Sequence, residues 1–227
     1  MLLGLLLTAF PLVQEGQEGL EGFFDPVAAR WDAAREALPA DMHPGLDFLL
    51  EHMPETDRRE LDVELVVENV EYAYKAWREA PWHADVPEAI FLNEILPYAS
   101  INERRDRWRK DFHERYGDVI RHAKSPGEAA AILNNHIFAD LGVIYSTQRP
   151  KADQSPYESI DAKMASCTGL SILLIAACRS QGIPARFVGT PLWADGSGNH
   201  SWVEVWDDGW HFTGAAEPTG IDLNKAW

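Results

Sequence analysis

The stretch Ser166–Thr190, SCTGLSILLIAACRSQGIPARFVGT, combines an apolar helix, a turn and a strand. Residues 170–178 are nearly all apolar, which is typical of a helix that is buried on every side. After Gly182 the helical pattern ends, and residues 185–189 are typical of a β-strand. The stretch therefore predicts a buried central helix that leads through a turn into a sheet.

Two more strands follow in the sequence. Residues 200–206 and 210–213 are short β-like runs, and Asp207-Asp208-Gly209 between them is a hairpin-turn signal. In the first run, His200 and Trp202 share one face by period-two alternation. We expect the aspartate side chains of the turn to face solvent. The predicted order is helices, then a central helix, then an antiparallel sheet.

The chain before the central helix is predicted to be mostly helical, from about residue 23 to residue 116. Asp57 and Glu60 match an N-cap and its capping-box partner, which predicts a helix that runs to about Glu79. The mixed charges of residues 103–110 suit the solvated face of another helix.

A strong helix start is present at Ser125-Pro126-Gly127-Glu128. Serine is a favoured N-cap, proline fits the first helical position, and a glutamate three residues beyond the cap completes a capping box. We expect this helix to carry residues 129–139. A polar, proline-containing loop over residues 147–157 follows it.

Length and charge limit the fold and the partners. The chain has 227 residues, of which 46% are hydrophobic, enough for one large domain or for a catalytic domain with a helical annex. Its 36 acidic and 20 basic residues give a formal net charge of −16, which repels phosphate groups and anionic membrane surfaces. We therefore expect no nucleic-acid partner.

The chain opens with an apolar run, MLLGLLLTAFPLV, over residues 1–13. The run is long enough for the core of a signal peptide and too short to span a membrane. We expect a signal peptide over about residues 1–20 and a secreted or periplasmic protein. Because no Lys or Arg precedes the run, a helix packed on the body and a misplaced start stay open, with a cytoplasmic location. No other stretch reaches transmembrane length, so we expect no integral membrane protein.

The two cysteines, Cys167 and Cys178, are eleven residues apart in one helical pattern. That spacing is about three turns, roughly 16 Å along the axis, which exceeds the reach of a disulfide. We expect two free thiols. The spacing also fits none of the common zinc patterns, so we expect no metal site.

Only one of these cysteines is placed for chemistry. A nucleophilic cysteine needs its thiolate, and the unpaired N–H groups of the first turn of a helix lower the thiol pKa. Cys167 has that position, whereas Cys178 falls near the far end of the same helix among apolar residues. Cys167 is therefore the candidate nucleophile, and Cys178 is interpreted as a small core residue.

A base and an acid for Cys167 are found downstream. His200 begins a predicted strand after a glycine-rich loop over residues 195–199, where its side chain can project into a cleft. A histidine before a strand is more commonly a polar edge residue. An acid must also orient the imidazole and stabilise its charged form. Glu217, just past the next strand, is the candidate for that role.

Two motifs together resemble the transglutaminase-like superfamily, which includes protein crosslinkers, bacterial cysteine peptidases and peptide N-glycanases. They are SCTGLSILLIAACRSQGIPARFVGT and NHSWVEVWDDGWHF. In that family a cysteine opens the helix, a Gly-Ile-Pro-Ala-Arg turn leads into a strand, and a His-x-Trp-x-Glu strand supplies the histidine. These elements fall here on Cys167, residues 182–186, His200, Trp202 and Glu204.

The resemblance covers about residues 126–227 and implies an α+β fold of the papain-like kind, in which the cysteine-bearing helix packs on a small antiparallel sheet. We expect a helical N-terminal region over residues 21–122 and a catalytic domain over residues 123–227. The third family residue is usually the aspartate of an Asp-Pro-Thr segment. This chain has Ala216-Glu217-Pro218-Thr219 instead, so the role passes to Glu217.

The resemblance implies cysteine-dependent acyl transfer or hydrolysis of amide bonds through a thioester, with a peptidase or amidase favoured. This chemistry needs no cofactor. The expected substrate is a peptide, a protein or a peptidoglycan-like amide, and Trp193 and Trp202 are candidates to line its cleft. Two alternatives stay open: a protein-crosslinking transglutaminase, and a non-catalytic module that binds a peptide or a glycan.

Overall fold

The computed structural model describes residues 26–217 and 220–225, and the part before residue 121 is helical. The predicted signal peptide, residues 1–20, lies outside the described residues. Among the residues described, no helix has the length and apolar composition needed to cross a membrane. The helices of this first part are α1 (Pro26–Ala37), α2 (His43–His52), α3 (Glu55–Glu60), α4 (Val63–Glu79), α5 (Glu88–Glu94) and α6 (Trp108–Ile120).

The remaining part alternates helices with short strands. They are α7 (Pro126–Leu141), β1 (Ile144–Tyr145), α8 (Pro156–Ala162), β2 (Met164–Ala165), α9 (Cys167–Ser180), β3 (Ala185–Thr190), β4 (His200–Trp206) and β5 (Trp210–Thr213). Strands β3, β4 and β5 form an antiparallel sheet in that order, and β1 and β2 form a parallel pair. The predicted α+β arrangement is confirmed.

Helix α9 lies at the centre of this arrangement. Its residues from Gly169 to Ser180 are buried, and it contacts β3 and β4 as well as α4, α6, α7 and α8. Strand β4 alternates as predicted, since Val203 and Val205 are fully buried whereas Trp202 is half-buried. One continuous apolar core extends from the N-terminal helices to the sheet.

The turn between α9 and β3 packs directly on the N-terminal region. Gly182 has a φ of +67°, and a Cβ at this position would lie 2.8 Å from the carbonyl carbon of Ala76 in α4. The Gly182 carbonyl accepts a buried hydrogen bond from Trp82 Nε1 at 2.7 Å. Glycine is required here because both the backbone conformation and the close approach exclude a side chain.

Helix α7 starts where predicted, but its capping box is incomplete, because the Glu128 carboxylate accepts from the backbone N–H of Lys124 and not from that of Ser125. Ser125 is its N-cap and accepts a hydrogen bond from the backbone N–H of Glu128 at 3.3 Å, while Pro126 occupies the first turn. The helix continues to Leu141 and ends at Gly142, whose backbone is left-handed.

The expectation that Asp207 faces solvent is wrong. Its Oδ2 atom accepts hydrogen bonds from Ser125 Oγ at 2.7 Å and from the backbone N–H of Gly127 at 3.1 Å. The unpaired N–H groups at the start of a helix favour a carboxylate. Asp207 therefore ties the β4–β5 turn to the start of α7, whereas Asp208 is exposed as expected.

Asp57 is not an N-cap, because it lies inside α3, and α4 is a separate helix that begins at Val63. The N-cap of α4 is Asp62, whose carboxylate accepts from the backbone N–H of Glu64. Asp57 instead accepts hydrogen bonds from Tyr98 Oη at 2.7 Å and from Arg105 Nε at 2.9 Å. Its carboxylate thus joins α3 to the segment that precedes α6.

The charged run over residues 103–110 is not a solvated helix face. Glu103 is 4% exposed and Arg109 is 2% exposed. The Glu103 carboxylate accepts from two backbone N–H groups of the preceding loop, and the Arg109 guanidinium donates to the backbone carbonyls of Ile95 and Arg179. These charges are buried because they satisfy backbone groups that would otherwise lack partners.

Candidate active site

Cys167 is the first residue of α9. Strand β2 ends at Ala165, Ser166 has extended backbone angles, and the helix starts at the next residue. Cys167 is a half-buried residue with a free thiol. Its position in the first turn matches the prediction.

The N-terminus of α9 has no capping side chain of its own. Ser166 occupies the N-cap position but makes no cap hydrogen bond, and its hydroxyl donates to the carbonyl of Ala152 at 3.1 Å. The first turn also contains no acidic residue. The positive end of the helix dipole therefore acts on the Cys167 sulfur without a neighbouring carboxylate in that turn to oppose it.

Cys178 lies in the last turns of the same helix and is fully buried. Burial raises the pKa of its thiol to about 12, because a thiolate would lose its hydration among apolar side chains. At neutral pH this thiol stays protonated. The interpretation of Cys178 as a core residue agrees with this environment.

A hydroxyl contact joins the start of α9 to the start of β4. Thr168 Oγ1 and Ser201 Oγ are 3.2 Å apart and can share a hydrogen bond. Thr168 directly follows Cys167, and Ser201 directly follows His200. Cys167 and His200 are thus the sequence neighbours of the two residues that join α9 to β4.

His200 lies among aromatic side chains. Its ring centroid is 6.0 Å from that of Trp193 and 6.3 Å from that of Trp202, and the two indole centroids are 6.1 Å apart with planes at 11°. The Nε2 atom of His200 is buried. The structure therefore brings both candidate cleft residues to the histidine, and all three side chains are half-buried.

Glu217 is brought towards the same end of the sheet. Strand β5 is antiparallel to β4 and ends at Thr213, opposite Val203, so the following turn runs towards the end of β4 that begins at His200. The carboxyl group of Glu217 lies over Gly214, where a Cβ would lie 2.9 Å from Glu217 Cδ. Glu217 is an exposed residue, and its successors Pro218 and Thr219 lie outside the described residues.

A buried asparagine that the sequence reasoning missed holds this turn. Asn134 of α7 is 3% exposed, and its side chain hydrogen-bonds to three residues between Thr213 and Ala216. A signal was present in the sequence, because Asn134 is a polar residue on the same helix face as Ile137 and Leu141. A polar residue on an apolar face requires a buried partner.

Glu204, the last residue of the His-x-Trp-x-Glu motif, has a structural partner. Its carboxylate accepts from Arg186 Nε at 2.8 Å and from Nη2 at 2.5 Å. Arg186 lies directly opposite on β3, and its guanidinium carbon is 3.7 Å from the centroid of the Trp210 ring. Glu204 therefore supports the sheet.

Residues 114–214, a little under half of the chain, match the family model of the transglutaminase-like superfamily. The resemblance that the two motifs indicated is confirmed over that range. The match supports a cysteine-dependent enzyme as the general class of this protein. No curated protein matches the chain.

One solved structure is similar to part of this chain. It is a crystal structure of a "putative cysteine protease" from Cytophaga hutchinsonii, with 18% sequence identity and a TM-score of 0.41. The similar part covers 48% of this chain and 38% of that protein. The match thus spans less than half of the relative's own length.

Proposed function

We propose that this protein hydrolyses amide bonds in peptides or proteins. In this proposal Cys167 is the nucleophile, His200 is the general base and acid, and Glu217 is the acid that orients the imidazole. The observation that carries the proposal is the 3.2 Å contact between Thr168 and Ser201, because it joins the uncapped start of the cysteine helix to the start of the histidine strand.

The first half-reaction forms a thioester. His200 takes the thiol proton of Cys167, and the sulfur attacks the carbonyl carbon of the amide. The C–N bond then breaks, and the imidazolium of His200 donates its proton to the departing nitrogen, which leaves as an amine. Glu217 stabilises the imidazolium through its negative charge.

The start of α9 supplies the charge stabilisation for this step. The tetrahedral intermediate carries a negative oxygen, and the backbone N–H of Cys167 at the uncapped helix terminus is a suitable donor to it. In the second half-reaction water loses a proton to His200 and attacks the thioester carbon. The C–S bond then breaks, the imidazolium of His200 returns its proton to the Cys167 sulfur, and a carboxylic acid leaves.

The aromatic side chains beside His200 are suited to bind the substrate. Trp193 and Trp202 are half-buried and present apolar rings next to the histidine. Such rings bind the apolar parts of a peptide chain and exclude water from the reacting atoms. We assign them to the wall of the substrate cleft.

The test uses a mixture of peptides, since one chosen substrate would prejudge the specificity. The purified protein is incubated with proteome-derived peptides in H₂¹⁸O, with and without dansylcadaverine as a labelled primary amine. Mass spectrometry then locates ¹⁸O in new carboxyl groups and the dansyl group in new amides. The Cys167→Ala variant is the matched control.

Hydrolysis predicts ¹⁸O in new carboxyl groups, no preference for the amine, and no product with the Cys167→Ala variant. Efficient amine incorporation would instead assign the protein as a crosslinker and contradict the preference for water. If the wild type and Cys167→Ala give the same peptides without ¹⁸O or dansyl label, the enzyme assignment fails and a binding module replaces it.

A further inference from the structure

The turn that carries Glu217 is held from one residue of α7. Asn134 Nδ2 donates to Thr213 Oγ1 at 3.2 Å and to the carbonyl of Gly214 at 2.9 Å. Asn134 Oδ1 accepts from the backbone N–H of Ala216 at 2.9 Å. The buried side-chain amide of Asn134 thus donates to residues at the start of the turn and accepts from Ala216 near its end.

This turn has a backbone that needs external support. Ala216 has a φ of +61°, in the left-handed region that a residue with a side chain rarely adopts. The backbone N–H of Glu217 closes the turn onto the carbonyl of Gly214 at 3.1 Å. The bond from Asn134 to the Ala216 N–H stabilises the strained residue directly, and the next residue is Glu217.

The position of the Glu217 carboxylate depends on the same turn. A Cβ at residue 214 would lie 2.9 Å from Glu217 Cδ and 3.0 Å from Glu217 Cβ, so any side chain at residue 214 would displace the carboxyl group. The glutamate side chain folds back over Gly214. The turn and the missing side chain together fix where the charge lies.

We propose that Asn134 is a positioning residue for Glu217, an inference that rests on the proposed function. The Asn134 side chain hydrogen-bonds to Thr213, Gly214 and Ala216, and it acts by holding the Gly214–Glu217 turn. The buried amide of Asn134, on α7, fixes the position of the Glu217 carboxylate. This carboxylate in turn stabilises the positively charged imidazole of His200.

The experiment measures the rate constant for alkylation of Cys167 by iodoacetamide between pH 5 and pH 9. The variants are Asn134→Ala, Glu217→Ala and the double variant. Asn134→Asp is a second single variant, which keeps the shape and the acceptor but loses the two donated hydrogen bonds. Asn135→Ala is the matched control, because Asn135 donates to Ala131 and Gly220, outside this turn. Circular dichroism establishes that each variant is folded.

Loss of the carboxylate should lower the alkylation rate at pH 6 about fivefold, because the imidazolium that pairs with the thiolate becomes less stable. We expect Asn134→Ala to give a similar loss and to move the pH profile in the same direction. In the Glu217→Ala background the same substitution should change the rate less than about twofold. Asn135→Ala should leave the rate unchanged.

Equal losses from Asn134→Ala in both backgrounds would overturn the inference, since a merely structural residue acts without Glu217. Unchanged alkylation in Asn134→Ala or in Glu217→Ala would overturn it as well. If Asn134→Ala does not fold, Asn134→Asp decides by the same comparison. A wild-type Cys167 that reacts as an ordinary thiol would instead refute the proposed function, and the inference with it.

Discussion

Helices α7 and α9 both begin after a serine, and they use it differently. At α7, Ser125 accepts from the N–H of Glu128, and Asp207 accepts from the N–H of Gly127. At α9, the hydroxyl of Ser166 turns away to the carbonyl of Ala152. The start of α7 thus has two capping side chains, whereas the N-cap residue of α9, which precedes the half-buried Cys167, makes no side-chain cap hydrogen bond.

The difference affects the stability of the two helices and, in the proposed mechanism, catalysis at the start of α9. A serine N-cap is worth about 1 kcal/mol of helix stability, and α9 forgoes this contribution at its own start. The helix can tolerate the omission because it is buried from Gly169 to Ser180 in the centre of the fold. In the proposed mechanism, the backbone N–H groups of this first turn stabilise the thiolate and the oxyanion.

The largest expected effect comes from the two cysteines of α9. Cys167→Ala should abolish hydrolysis, a loss of more than about 10⁴-fold, because the nucleophile is removed. Cys178→Ala should retain activity and lose about 1–2 kcal/mol of stability, because it removes a buried atom from the core. Kinetics on a peptide substrate identified in the ¹⁸O experiment, with urea unfolding of both variants, measures the contrast. Loss of activity in Cys178→Ala alone contradicts the assignment.

The burial of Cys178 near the end of α9 makes the free energy of unfolding depend on pH. Burial raises the pKa of Cys178 from an ordinary value of 9.0 to about 12. The stability from this thiol is complete below pH 9 and is lost as the pH rises towards 12, because only the unfolded chain ionises there. The loss is about 1.4 kcal/mol per pH unit. Urea unfolding between pH 8 and pH 11 should show the wild type losing its advantage over Cys178→Ala, and parallel curves would count against this burial.

The two serines offer a direct comparison of the helix starts. Ser125→Ala should cost about 1–2 kcal/mol, because its hydroxyl accepts from Glu128 and donates to Asp207. Ser166→Ala should cost about half as much, because it removes one hydrogen bond and no cap. Thermal unfolding of both variants measures the difference. A larger loss in Ser166→Ala would mean that the hydroxyl does cap α9 in solution.

The smallest effect is expected at the contact between α9 and β4. Thr168→Val keeps the shape of the side chain and removes the hydroxyl that lies 3.2 Å from Ser201 Oγ. We expect a decrease of about threefold to tenfold in kcat/KM, with little change in unfolding temperature, because one neutral hydrogen bond is lost. An unchanged kcat/KM would show that this contact does not set the relative position of Cys167 and His200.

Local patterns in the sequence were sufficient for the elements that carry the site. Strand β4 begins at His200 and ends at Trp206, as its alternation and the following turn predicted. The start of α7 at Ser125 was likewise predicted from four consecutive residues. The parts that were predicted well depend on neighbours in the sequence.

The errors arose where partners are far apart in the chain. Asp57 fits an N-cap by pattern, but its carboxylate is bound by Tyr98 and Arg105. Arg109 belongs to a charged run, yet it is buried because it donates to distant backbone carbonyls. Propensity rules count neighbours along the chain and do not include such partners.

The candidate site shows the same contrast between local motifs, which could be predicted, and distant partners, which could not. The family motifs assigned Cys167 and His200, and these roles stay predictions until they are measured. Asn134 was missed because its partners lie about eighty residues further along the chain, at Gly214 and Ala216. The departure from the family's aspartate was visible in the sequence, but the space over Gly214 that accommodates Glu217 was not.

The most direct test of the central claim is the pH dependence of iodoacetamide alkylation at Cys167, read by peptide mass spectrometry in the wild type and in His200→Ala. An activated Cys–His pair predicts rapid labelling of the wild type below pH 7 and slow labelling of the variant. Slow labelling in both proteins, with the profile of an ordinary thiol, would contradict the claim.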